Sequence, residues 1–72
     1  MNLNQAVEGK EYIIKNIVTD DDELDAFLVS LGLYSGESIT VVSRKKKMCL
    51  VSIKDSRYSI DNVLAAAIEI FE

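Results

Sequence analysis

Ile39-Thr40-Val41-Val42-Ser43, then Arg44-Lys45-Lys46-Lys47, then Met48-Cys49-Leu50-Val51-Ser52-Ile53: this run of the chain decides the fold. Ile39, Val41 and Ser43 alternate with Thr40 and Val42, and Cys49, Val51 and Ile53 share a face opposite Leu50 and Ser52. A period of two, rich in β-branched side chains, marks strands that turn one face to a core. Two such strands, the second running to Lys54, with four cations between them predict a β-hairpin with a basic tip.

Working downstream, Asp55 and Ser56 predict a turn, and a short strand over 57–60 puts Tyr58 and Ile60 on one face, which extends the hairpin to a meander. Asp61 is placed to cap a single helical turn over 62–66, after which Ile68, Ile70 and Phe71 read as a closing strand. The same residues also fit one longer C-terminal helix.

Upstream, Tyr12, Ile13, Ile14, Ile17 and Val18, interrupted only by Lys15 and Asn16, predict a strand over 11–18. Asp20, Asp21, Asp22 and Glu23 supply carboxylates where a helix presents unpaired N–H groups, with Asp20 as the expected cap. Leu24, Phe27, Leu28 and Leu31 follow at i, i+3, i+4, i+7, so the helix is expected over 21–31, and Gly32 suits the left-handed position beyond its end. Leu33, Tyr34, Ser35 and Gly36 read as a turn. Several short strands and one inserted helix predict a mainly β protein, a small and partly open barrel whose last strand returns to pair near the first.

The bulk properties fit that reading. At 72 residues, 49% hydrophobic and 28% charged, the chain has the balance of a globular protein and room for one domain, 1–72. A lone cysteine forms no internal disulfide, so stability is expected from apolar packing. The start is polar and no run approaches the roughly 20 apolar residues that span a bilayer, which predicts a cytoplasmic protein. A net charge of −4 disfavours nonspecific attraction to nucleic acid or anionic lipid, although a local basic patch such as the tip can act against the global sign.

The chemistry-bearing residues argue for binding over catalysis. There is no histidine, hence no Ser-His-Asp or Cys-His arrangement, and a barrel this small is not expected to enclose a pair of carboxylates in separated environments. Asp20, Asp21, Asp22, Glu23 and Asp25 offer hard oxygen ligands, but without the glycine and distal glutamate of a calcium loop; capping and the helix dipole explain them. Cys49, alone in a strand, reads as an inert, partly buried thiol rather than a metal ligand. Arg44, Lys45, Lys46 and Lys47 serve either as a contact surface for phosphate, lipid or acidic protein, or as a solvated tip that discourages strand aggregation. Tyr12, Phe27, Tyr34, Tyr58 and Phe71 read as core and rim.

Leu3, Ala6, Gly9, Tyr12 and Ile14, the helix end Leu31-Gly32-Leu33 with its turn to Gly36, Ile39, Val41, Val42, Val51, Ile53, Ser59 and the ending Ala67-Ile68-Glu69-Ile70 together resemble the FeoA family. The most specific piece is Leu31-Gly32-Leu33-Tyr34-Ser35-Gly36 followed by Ile39-Thr40-Val41-Val42. The resemblance implies a single SH3-like barrel with one inserted helix and a short C-terminal helical turn. It implies a non-enzymatic, cofactor-free accessory of FeoB, the membrane transporter that imports ferrous iron, touching either its cytosolic GTP-binding domain or its membrane core. Alternatives that go with the resemblance are the SH3-like module of a metal-dependent transcriptional regulator, a weak ferrous iron binder, and a stimulator of GTP hydrolysis through Arg44 or Arg57.

The expected contact surfaces are the turn, with Leu33, Tyr34 and Gly36, and the tip, with Arg44, Lys45, Lys46 and Lys47. Self-association would use a strand edge or the apolar Ile68, Ile70 and Phe71. The sequence departs from the family pattern at Ser35, where proline is usual, at Lys45 to Lys47, where the tip usually contains glycine, and at Asp22 and Asp25, where the helix often carries basic residues.

Overall fold

Alternation in Glu11–Ile17 builds the central strand, β1: Tyr12 and Ile14 are buried, while Glu11, Ile13 and Lys15 stay exposed. The computed structural model describes all 72 residues, Met1–Glu72. β1 is followed by α1 (Asp22–Leu31), the meander β2 (Ser38–Arg44), β3 (Met48–Ile53) and β4 (Ser56–Asp61), then α2 (Asn62–Ala67) and β5 (Ile68–Ile70). A short 3-10 turn at Leu3–Gln5 precedes them.

The five strands form one antiparallel sheet in the order β4-β3-β2-β1-β5. β1 is shared between two halves. Its start pairs with β2, Tyr12 opposite Ile39, and its end pairs with β5, Ile17 opposite Ile68, across an irregularity between Ile14 and Asn16. Because α2 runs from the end of β4 into β5 without a loop, it draws the two sheet edges together. The result is the partly open barrel expected, with the last strand beside the first. The C-terminal segment is both a short helix and a strand, and Asp61 caps the helix as expected, its Oδ1 accepting from Leu64 N at 2.8 Å.

Inward-facing side chains from every strand fill the barrel: Ile14, Ile39, Val41, Val51, Ile68 and Ile70 are at most 1% exposed, and Ile60 of β4 is 6% exposed. Each such burial contributes about 1.5–3 kcal/mol, which is how a chain whose single cysteine forms no internal disulfide reaches stability. Leu3 enters the same core, carried by the N-terminal turn that Asn2 and Gln5 close with reciprocal side-chain bonds. Ile68 and Ile70, expected as a self-association surface, are core residues instead; of that trio only Phe71 is exposed.

α1 departs from expectation at its start. The cap is Asp21, not Asp20: its Oδ1 accepts from Glu23 N at 3.0 Å and Leu24 N at 3.1 Å. Among three consecutive aspartates any could cap on propensity, and the backbone decides; Asp21 is the extended residue before the first helical turn. At the far end Gly32 takes φ 97°, and the N–H groups of Gly32 and Leu33 close on Val29 and Leu28 carbonyls. The helix meets the barrel along a narrow stripe. Leu28 is buried, Leu24 and Leu31 are half-buried, and Phe27 and Val29 stand 57% and 55% exposed.

Between β3 and β4 the turn is Lys54-Asp55, one residue earlier than expected, so Ser56 pairs with Ile53 as the first residue of β4. Lys54 carries φ 53°, the only non-glycine residue in the left-handed region.

Candidate functional site

Two exposed loops were expected to carry contact, and the structure rearranges both. In the first, Leu33 is wholly buried, a core residue rather than a surface anchor. The Schellman-type end of α1 turns its side chain inward, placing it with Leu28 in the apolar cluster. Tyr34 remains at the surface. Its hydroxyl accepts from Lys54 Nζ at 3.1 Å, and Lys54 Nζ also lies 4.0 Å from Glu37 Oε1, the chain's single ion pair. The Tyr34 hydroxyl first, and Glu37 second, raise the Lys54 pKa above its usual 10.5.

The turn is stitched to β1 on three sides. Ser35 Oγ donates to Lys15 O at 2.6 Å, Gly36 N donates to Ile14 O at 2.9 Å, and Ile14 N donates to Glu37 O at 2.8 Å. Ser35 thus holds by hydrogen bonding a turn that proline would stiffen through its ring. Gly36 sits at φ 93° with open space where a Cβ would lie, so glycine is needed there for conformation, not for close approach. Beside the turn a shallow cleft of about 250 Å³ runs between Asn16, Ile17, Val29, Tyr34 and Ser35.

At the tip, Arg44 does not belong with the lysines. β2 bulges between Val41 and Ser43, so Ser43 pairs with Leu50 and Arg44 with the buried Cys49. The extra residue reverses the alternation, and Arg44 turns toward the barrel end. There Nη2 donates to Ala6 O at 2.8 Å and Leu3 O at 3.2 Å, clamping the N-terminal turn. It is committed to the fold, as neither a free surface cation nor an arginine finger would be. Cys49 is 1% exposed, and burial pushes its thiol pKa above the usual 9.0 against a smaller opposing pull from Arg44.

Lys45, Lys46 and Lys47 are exposed on a backbone that is firmly held. Lys45 N donates to Met48 O at 2.8 Å, and Asn62 donates twice, through Nδ2 to Lys46 O at 3.0 Å and through N to Lys47 O at 3.1 Å. Asn62 was not picked out from the sequence; its only signal was its place directly after the capping Asp61. A groove of about 460 Å³ lies alongside, lined by the three lysines, Met48, Leu50 and Ser59, with no carboxylate in it.

The acidic run also resolves into separate jobs: Asp21 caps, and Asp25 accepts a hydrogen bond from the Thr19 hydroxyl. No three Asp, Glu or Cys side chains converge on a metal-sized group, and no helix is long and apolar enough to cross a membrane.

A small five-stranded barrel with rigid polar loops and an added helix is an SH3-like module. Its fold matches Stenotrophomonas maltophilia FeoA, described as an SH3 domain protein, with a TM-score of 0.86 at 17% identity over 99% of this chain and 89% of that one. The crystal structure of an iron uptake regulatory protein, FeoA, matches with a TM-score of 0.85 at 25% identity, covering 97% and 93% of the two chains. In sequence, the chain is 32% identical over 60 residues to the Fe(2+) transport protein A of Helicobacter pylori, covering 83% of this chain and 77% of that protein. The FeoA domain profile matches residues 1–71, and the chain belongs to the FeoA family.

Proposed function

We propose that this chain is a non-catalytic accessory of ferrous iron uptake that binds the cytosolic part of a FeoB-type transporter in the cytoplasm. The observation that carries the reading is the match to the FeoA domain over residues 1–71. The Helicobacter pylori relative is named for Fe(2+) transport, and the Stenotrophomonas maltophilia neighbour is described in connection with ferrous iron transport activation.

The contact surface we assign is the turn that presents Tyr34 and Gly36, withdrawn from Leu33 because that side chain is inside. Its support is physical: an exposed aromatic on a backbone fixed by bonds from Ser35, Gly36 and Ile14 loses little freedom on binding. Such a module acts by binding one state of the transporter better than another, and can shift the transporter only by that difference in affinity. No bond is made or broken on it.

Pull-down with the isolated GTP-binding domain and with the detergent-solubilised transporter tests this reading. Capture by either, weakened at least tenfold by Tyr34→Ala, supports it. Capture by neither rejects the transporter as partner, and capture unchanged by Tyr34→Ala rejects this surface while keeping the partner.

A further inference from the structure

We propose that the Lys45-Lys46-Lys47 tip is a docking surface for an anionic lipid bilayer. Three observations converge on it. The lysines are consecutive, exposed and free of carboxylate partners, since the one ion pair in the chain joins Lys54 to Glu37. Taking these three charges from the net −4 leaves −7 on the rest of the molecule, so the charge is sharply divided and the tip alone is drawn to an anionic surface. Met48, 44% exposed, continues from the lysines at the edge of the carboxylate-free groove, offering an apolar side chain to the headgroup boundary.

The tip is also held ready. Asn62 occupies the carbonyls of Lys46 and Lys47, and the Lys45 N–H is bound to Met48 O, so the backbone presents the ammonium groups without ordering on contact. Holding Asn62 in turn is the N-terminal turn, through Asn4 Nδ2 to Asn62 O at 3.0 Å.

Bilayer fits this patch better than nucleic acid. No aromatic ring borders the groove to stack on a base, the cations occupy one tip instead of a stripe along a backbone, and the arginine suited to bidentate phosphate recognition is turned inward. Lysines, as hydrated point charges, suit the diffuse field of a lipid surface. Three of them raise partitioning by roughly a hundredfold over an uncharged tip, enough for reversible residence but not for anchoring. The −7 remainder is repelled, which orients the molecule tip-down. For an accessory of a membrane transporter, confinement to the membrane surface raises the effective concentration of the two partners. The lipid contact itself does not depend on that partner.

Co-sedimentation with vesicles made from equal parts phosphatidylcholine and phosphatidylglycerol, against pure phosphatidylcholine, is the test. Binding to the mixed vesicles alone, falling with salt and lost by tenfold or more in a Lys45→Gln, Lys46→Gln, Lys47→Gln variant with an unchanged melting temperature, is the expected result. The proposal is overturned by absence of binding at low salt, by equal binding to both vesicles, or by a variant that binds like wild type. Amide shifts confined to the tip with inorganic phosphate or an oligonucleotide, without vesicle binding, overturn it in favour of those ligands. Since the transporter is absent from the assay, failure here leaves the transporter reading standing, and loss of transporter capture leaves this one standing.

Discussion

Arg44 reaches from the end of β2 to the Ala6 carbonyl, Nη2 to O 2.8 Å, across 38 residues of sequence. With its second bond to Leu3 O, the guanidinium carries the N-terminal turn, and with it Leu3, onto the open end of the barrel. Removing it leaves two carbonyls without their charged partner.

Arg44→Ala should therefore destabilise by about 2 kcal/mol, the worth of one good charge-assisted bond rather than two, because the side chain is half-exposed. Urea unfolding measures it. Arg44→Lys should recover less than half, since one ammonium cannot reproduce the two-bond fork. Native-state hydrogen exchange should show residues 2–6 opening first in both variants, while exchange in β2 and β3 follows global unfolding.

This relationship also marks where the sequence stopped being legible. Strands, their order along the chain, α1 and both glycine turns could be read because a period of two and a period of 3.6 write themselves into side-chain type. The strict period then misled at Arg44, because one extra residue between Val41 and Ser43 reverses every later side chain in β2, and nothing in Val42 announces it. Leu33 misled for a related reason: an apolar residue next to a glycine turn looks exposed until the Schellman geometry shows which way it points. Asn62 and Lys54 act through partners distant in sequence, at Lys46 and Tyr34, which no local pattern encodes.

Leu33 and Tyr34 are adjacent in sequence and opposite in role, which gives a paired prediction. Leu33→Ala should cost about 2–5 kcal/mol, a core truncation with a residual cavity. Tyr34→Ala should cost under about 1 kcal/mol, the value of a surface hydrogen bond and cation contact. Thermal melts compare the two; a Leu33→Ala protein as stable as wild type would return Leu33 to the surface.

The capping assignment separates Asp21 from Asp20. Asp21→Ala should destabilise by about 1 kcal/mol, losing bonds to two helix N–H groups. Asp20→Ala should change stability by less than about 0.5 kcal/mol, as expected at an exposed position away from any such feature. Chemical denaturation of the two variants decides it, and equal costs would mean the cap is shared.

Cys49 gives a prediction about alkaline stability. Burial raises its thiol pKa above 9.0, so the folded chain keeps a proton that the unfolded chain releases. Stability is then fully present below 9.0 and falls as pH rises through the folded value, with the unfolded state favoured by ionisation. Lys54 has the same sign and acts higher: raised from 10.5 by the Tyr34 hydroxyl and then Glu37, its contribution is present below 10.5 and lost above. Cys49→Ala should cost roughly 1 kcal/mol at neutral pH for the lost apolar volume, yet flatten the first part of the alkaline decline. Lys54→Met should leave that first part and remove the later one. Urea midpoints from neutral to strongly alkaline pH read both, and a Cys49→Ala curve parallel to wild type above 9.0 would show that the thiol does not ionise in this linkage.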